Sequence, residues 1–286
     1  MNDKRKRITT YNSGIQAKVI EFLYKTELGD KLLKVLIMPF VSKIIGHFMD
    51  SRFSLPLIKP FIKYNNIDMQ EYEECKYRSF NEFFTRKIKK GYRNFSKNNE
   101  DLCSPCDAKL TAYKITEDSR FMVKGTLYDM TSLTRSKKLA KYYKDGTLLI
   151  FRLSVKDYHR YAYIDTCKQK RNYKISGVLH TVHPACGNVP VYKENTREFS
   201  ILDSANFGKV LMMEVGAMLV GRITNYNKET YAVRGQEKGR FEYGGSTIIL
   251  AFAKGKVTID ENILNNSRYS YETEVKMGSI IGKKGI

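Results

Sequence analysis

Lys238-Gly239-Arg240-Phe241-Glu242-Tyr243-Gly244-Gly245-Ser246-Thr247-Ile248-Ile249-Leu250-Ala251-Phe252 carries the two signals from which the rest of the chain can be read. Its second half, Ser246 to Phe252, reads as an apolar strand. Before it, two glycines lack the Cβ that restricts other residues, and so permit unusual backbone angles. That freedom lets the Ser246 hydroxyl turn back on the carbonyl preceding it. The chain can then cut itself between Gly245 and Ser246 and convert Ser246 into a carbonyl cofactor. Taken alone, Gly-Gly-Ser-Thr more often marks a plain turn before a strand, so the surrounding residues must decide.

Working outward, short strands separated by turn signals are expected at Lys109–Tyr113, Arg120–Val123, Thr147–Leu153, Arg160–Ile164, Tyr173–Val178, Lys209–Val215, Met218–Ile223 and Val257–Ile259. One helix is expected among them, over Ser132–Tyr143. Another is expected over Ser79-Phe80-Asn81-Glu82-Phe83-Phe84-Thr85-Arg86, with Ser79 as N-cap and Glu82 three residues on. Residues 15 to 64 read as helical. Ile15, Val19, Ile20, Leu23 and Tyr24 recur at helical spacing, as do Leu32, Leu33, Leu36, Ile37 and Phe40, with lysines interspersed. Pro39 should kink or end the second helix, and Pro56 and Pro60 should break up the segment from Leu55 to Ile62. This region either packs its apolar face on the main body or dips into lipid while its lysines meet anionic headgroups. The fold class is α+β: a β-rich catalytic body of mostly antiparallel short strands (71–286) behind an N-terminal helical, membrane-associating region (1–70).

Composition narrows the function. A chain of 286 residues with 42% hydrophobic and 12% aromatic content can build a sizeable core. Its formal charge of +20 implies a polyanionic partner, either nucleic acid or an anionic membrane. No apolar stretch comes after the basic start as in a secretory signal, and no run approaches the ~18 apolar residues of a spanning helix. The expected location is therefore the cytoplasm. Five cysteines suit reduced thiols, and Cys103-Ser104-Pro105-Cys106 lacks the further ligands that zinc requires.

A serine nucleophile needs a base, and the base an orienting group. Of the four histidines, His159 comes after an apolar strand in Asp157-Tyr158-His159-Arg160, while His180 and His183 form a second cluster and His47 lies among the amphipathic helices. Asp107 comes directly after Ser104-Pro105-Cys106, a turn that would hold a carboxylate rigidly.

These pieces, in order, match a family. Phe80-Asn81-Glu82-Phe83-Phe84-Thr85-Arg86, Ser104-Pro105-Cys106-Asp107, Val123-Lys124-Gly125, Asp157-Tyr158-His159-Arg160, Asn195-x-Arg197, Val215-Gly216-Ala217-x-x-Val220-Gly221 and Gly244-Gly245-Ser246-Thr247 resemble the series found in phosphatidylserine decarboxylase proenzymes. The resemblance spans residues 75 to 255. It implies that Asp107 orients His159, that His159 deprotonates Ser246, and that cleavage gives a β chain of 1–245 paired with an α chain of 246–286. It implies a pyruvoyl cofactor derived from Ser246, forming a Schiff base with phosphatidylserine and releasing phosphatidylethanolamine, with His159 the first candidate for the final proton. Lys124, Arg160, Asn195 and Arg197 are the expected substrate contacts. The implied partners are the substrate and the anionic phospholipid membrane, at whose cytoplasmic face the protein would sit peripherally, with no metal and no nucleic acid.

The sequence departs from the family pattern in three ways. Ala162 stands where many relatives carry a second histidine, which places both proton-transfer duties on His159 or brings in His180 or His183. Ala108 replaces a glycine, and Glu237 and Glu242 are displaced from the register of the usual glutamate.

Overall fold

A computed structural model describes residues 7–8, 15–123, 126–183, 190–217, 222–244 and 246–285. Lys124, Gly125, Gly245 and residues 218–221 lie outside the described residues.

Among the described residues, Ser246–Phe252 is an interior strand of a ten-stranded sheet. It runs antiparallel to Thr147–Leu153, with Ser246 opposite Leu153, and on its other side to Gly208–Gly216, with Ser246 opposite Gly216. Both faces of the strand are covered. Ile248, Leu250 and Phe252 join one apolar cluster with Leu149, Phe151 and Leu153, while Ile249 and Ala251 join a second with Leu148 and Ile150. A strand buried on both faces reads as an unbroken apolar run rather than an alternation, which is why these two strands were legible. Truncating a residue such as Ile249 to alanine would cost about 2–5 kcal/mol.

Outward from this pair the sheet continues through Ala108–Lys114 and Glu272–Val275 on one side. On the other lie Arg197–Ser204, Cys167–Gln169 and Thr230–Ala232. A smaller sheet joins Ile223–Asn225, Glu237–Phe241 and Arg160–Ala162, and another joins Val257–Ile259, Ile280–Lys284 and Asp101–Cys103. All these pairings are antiparallel. The α+β class with its N-terminal helices is as the sequence led us to expect.

Among the strands that the pattern did not reveal, which include Arg197–Ser204 and Thr230–Ala232, two are charged ones. Glu237–Phe241 and Glu272–Val275 bury carboxylates and cations as pairs, which hides their apolar signal. Lys238 and Glu214 meet at 2.9 Å with both side chains enclosed, and Arg152 Nε donates to Glu272 Oε1 at 2.9 Å. The single helix expected over Ser132–Tyr143 is two, Met130–Thr134 and Lys137–Tyr143. Arg135 turns left-handed with φ 53°, and Ser136 caps the second helix by accepting from the Leu139 amide.

The N-terminal region forms α1 (Ile15–Lys25), α2 (Glu27–Leu36), α3 (Pro39–Asp50) and, after a 3₁₀ turn, α4 (Ile58–Asn65). Pro39 opens α3, where its missing N–H is not needed. Leu23 and Leu33 are buried, but Phe22, Leu32, Val35, Phe40, Ile44 and Phe53 are exposed. Much of this apolar surface is therefore not packed on the β-rich body. No single helix among the described residues is long and apolar enough to cross a membrane; α2 and α3 reach that composition only as a pair bent by 67°.

Helix α5 (Phe80–Phe84) links the two regions. Ser79 accepts the Glu82 amide as its N-cap. Phe80, Phe83 and Phe84 pack against Met49, Ile58 and Phe61 on one side and Tyr243 on the other.

Candidate active site

The strand Thr147–Leu153 ends in a turn whose geometry Asp157 dictates. Its carboxylate accepts from the Ser154 amide and hydroxyl, each at 2.7 Å, and from Lys109 Nζ at 2.8 Å. Burial acts to raise the Asp157 pKa, but the Lys109 charge and these hydrogen bonds prevail and hold it below the ordinary carboxylate value. The turn presents His159, which is fully buried. Its ring lies against Phe84, with centroids 4.2 Å apart, and its carbonyl accepts from the Phe241 amide at 2.9 Å.

His159 Nδ1 lies 2.8 Å from the Asp157 carbonyl oxygen. A carbonyl only accepts, so Nδ1 carries the proton and Nε2 holds the free lone pair of a base. Nε2 has no hydrogen-bond partner among the described residues. Burial lowers the His159 pKa from 6.5 to about 4, against smaller opposing effects of Asp157 and the Gly244 backbone. The imidazole is thus neutral at physiological pH and stands beside Gly244.

Residues 241–244 are fixed from several directions. The Tyr243 amide donates to Asn81 Oδ1 at 3.0 Å. The Tyr243 ring meets Phe80 and Phe84 edge-on at 5.2 and 5.4 Å. Gly244 has φ 126°, a conformation that side chains with a Cβ resist. Two residues on, Ser246 enters the sheet, and by strand alternation it shares a face with Ile248 and Leu250, whose cluster contains Tyr161, Ala217 and Phe241. Tyr161 and Phe241 belong to the small sheet whose first residues succeed His159 in the chain. Ser246 Oγ is buried without a hydrogen-bond partner among the described residues, as is Thr247 Oγ1. Buried polar groups are nearly always paired, so the unpaired His159 Nε2 and Ser246 Oγ mark groups kept open for chemistry, while Thr247 Oγ1 lies on the opposite face of the strand.

The other expected residues distribute differently. Asp107 is not hydrogen-bonded to His159. Arg93 takes both of its oxygens, at 2.9 and 2.8 Å, and the Met277 amide and Lys276 add bonds at 2.8 and 3.4 Å. Asp107 thereby ties residues 276–277 to the body. Asn195 is enclosed and holds the carbonyl of Gly216, opposite Ser246, at 2.8 Å and that of His180 at 2.7 Å. Arg197 is also enclosed and donates to the carbonyls of Leu133, Lys193, Asn195 and Ser132. These two residues brace the scaffold through hydrogen bonds from their side chains to backbone oxygens. Arg160 lines a cleft of about 790 Å³, while bonding Thr85 O and Glu237. His180 is tied to Tyr24 at 3.1 Å and lies 3.5 Å from Glu194. His47 bonds within its own helix, at Lys43 O.

Sequence reasoning gave no role to Asp157, Lys109 or Phe84. The signal for Asp157 was its spacing: a serine with an aspartate three residues later, directly after an apolar strand, is the pattern of a side-chain-locked turn.

A family model described as phosphatidylserine decarboxylase matches residues 80–283. The chain is 47% identical over 266 residues to phosphatidylserine decarboxylase proenzyme 2 of Clostridium acetobutylicum, covering 92% of this chain and 91% of that protein. It is 42% identical over 273 residues to the phosphatidylserine decarboxylase proenzyme of Clostridium tetani, covering 93% and 92%. The proenzyme of Clostridium botulinum strain Hall is likewise 42% identical over 274 residues, 93% of each chain. Similarity of this depth along nearly the whole length establishes that the chain belongs to the phosphatidylserine decarboxylase family.

Proposed function

We propose that the chain is a self-cleaving proenzyme that converts phosphatidylserine to phosphatidylethanolamine with a pyruvoyl group made from its own Ser246. The observation that carries this reading is the neutral, enclosed His159, with Nε2 unclaimed, beside a glycine turn that leads to an unclaimed serine hydroxyl.

In the first step Ser246 Oγ bonds to the Gly245 carbonyl carbon as its proton passes to His159 Nε2. The Asp157 carbonyl, holding Nδ1–H, keeps the ring in the tautomer that can accept that proton, and the nearby Asp157 carboxylate favours the imidazolium that results. The Gly245–Ser246 C–N bond breaks as its nitrogen takes up the proton, leaving an ester; loss of the Cα proton and of the Cβ–Oγ bond then frees chain 1–245 as a carboxylate, and water displaces the 246 nitrogen as ammonia, leaving chain 246–286 with a carbonyl at its start. The residues present suit a carbonyl at position 246: Ser246 Oγ makes no structural hydrogen bond to the described residues, so its loss strands no partner there. A pyruvoyl group there supplies an electron sink for an amine substrate that loses its carboxylate as carbon dioxide. In the cleaved protein His159 would first take up a proton at Nε2 and then deliver it to the product, with Phe84 packed on its ring and Tyr243 packed on Phe84.

The same proposal includes docking at the cytoplasmic face of the cell membrane. The outward phenylalanines of α1, α3 and the 3₁₀ turn support it, together with the charge of +20. Each basic residue near anionic headgroups adds about 1 kcal/mol. Intact mass under denaturing conditions tests the maturation. Two chains divided at 245/246 are expected, and a chain that stays whole sinks the proposal. Incubation with phosphatidylserine vesicles, read as loss of carbon dioxide, tests the reaction.

A further inference from the structure

The cleft beside α5 has a charge pattern that self-cleavage does not use. Its walls include Asp50 and Arg52 at the end of α3, Arg86 just after α5, and Arg160, Arg222 and Arg240 from the small sheet and its approach. Some of these cations are already neutralised. Arg222 meets Glu242 at 3.0 Å and Asp50 at 3.6 Å, and Arg160 meets Glu237 at 2.6 Å. Arg52, Arg86 and Arg240 have no carboxylate partner among the described residues.

Two of the three also keep a buried N–H without an acceptor among the described residues, Arg86 Nε and Arg240 Nε. Arg86 is only 2% exposed, held with its guanidinium 4.2 Å from the centre of the Tyr72 ring. A desolvated guanidinium N–H is costly unless an acceptor arrives. Both arginines line one cleft, and the planar fork of arginine fits the oxygens of a phosphate. Arg240 lies opposite Arg160, the residue after His159, so an anion bound there stands one strand from the candidate base. At the same cleft, Arg52 precedes Phe53, which is 83% exposed, so a lipid whose head enters the cleft can leave its acyl chains beside an apolar surface.

We propose that this cleft binds the phosphodiester of a phospholipid headgroup, with Arg240 as the central donor and Arg52 and Arg86 beside it. The identity of that lipid as phosphatidylserine rests on the function proposed above; phosphodiester binding does not.

The test uses the full-length Ser246→Ala chain, which keeps this fold and cannot turn over. Six-carbon phosphatidylserine, six-carbon phosphatidylglycerol and inorganic phosphate are titrated separately by calorimetry below the lipids' micelle concentrations. Both lipids should bind, and Arg240→Gln should weaken them about tenfold, with Arg240→Lys recovering part of the loss. Arg52→Gln, at an exposed position that folding does not need, should weaken them severalfold, and the exposed Arg120→Gln should change nothing. Unchanged lipid affinity in Arg240→Gln and Arg52→Gln overturns the proposal. Binding of inorganic phosphate without either lipid also overturns it, in favour of a free-phosphate site. Should the wild-type protein release no carbon dioxide while Arg240-dependent lipid binding persists, the decarboxylase reading fails and the cleft assignment stands.

Discussion

Acidification should destabilise the uncut protein through His159 by an amount that can be worked out in advance. The imidazole is depressed to about 4 in the fold, from 6.5, because it is buried. Above pH 6.5 both folded and unfolded forms are neutral, and the group contributes no pH dependence. As pH falls from 6.5 toward 4 the unfolded chain binds a proton that the folded chain refuses, so stability is lost. Between pH 7 and pH 5 this single group removes about 2 kcal/mol, and the full loss below pH 4 is about 3 kcal/mol. The assay is urea unfolding of Ser246→Ala and of Ser246→Ala/His159→Phe at both pH values. Other groups titrate in both proteins, so the difference of the two losses isolates His159. A loss larger by about 2 kcal/mol in the protein that retains His159 is expected. Equal losses, or an NMR titration of His159 centred near 6.5, would refute the argument that burial keeps Nε2 a free base. The kinetic corollary is that self-cleavage should hold its rate from pH 8 down to about 5.

Ser246→Ala should give one uncut band on denaturing gels and no release of carbon dioxide from phosphatidylserine vesicles. Phe84→Ala, which removes the ring packed on His159 and Tyr243, should cost about 3–5 kcal/mol in urea unfolding and slow self-cleavage in a time course. Asp107→Asn breaks a buried pair with Arg93 and should cost about 3–5 kcal/mol. It should leave the His159 titration in place, since the two are not bonded; a displaced His159 midpoint would place Asp107 on the imidazole after all. Phe40→Ser/Phe53→Ser, at positions 70% and 83% exposed, should reduce flotation with anionic liposomes at no cost in urea unfolding.

The sequence disclosed the parts of the fold whose physics is one-dimensional. Continuous apolar strands such as Thr147–Leu153 and Ser246–Phe252, and the Ser79 cap of α5, are local patterns that tertiary structure had only to accept. Strands such as Glu237–Phe241 stayed hidden because Lys238 is buried only by virtue of Glu214, which lies 24 residues earlier and on another strand. At the candidate site, His159 and Ser246 were legible from their motifs. The group that orients His159 was not. It is a backbone oxygen of Asp157, and a carbonyl carries no mark in a sequence. Asn195 and Arg197 stood out as polar residues, but their burial against carbonyls depends on contacts such as Leu133 and Gly216 that spacing does not reveal.

The interior position of Ser246–Phe252 has a consequence for how the mature protein endures. With the cut proposed at 245/246, its partners on both sides, Thr147–Leu153 and Gly208–Gly216, belong to the other product. So do Ala108–Lys114 and Asp101–Cys103, which pair with Glu272–Val275 and Ile280–Lys284. Before scission, those pairings form within one chain, at an effective concentration set by the connecting polypeptide. Afterwards the same pairings must be found by two separate molecules, so thermal unfolding becomes dependent on protein concentration. The covalent link at 245/246 is then an assembly aid used once: a mature sample that is fully denatured and diluted should fail to regain the fold under conditions in which the Ser246→Ala chain succeeds.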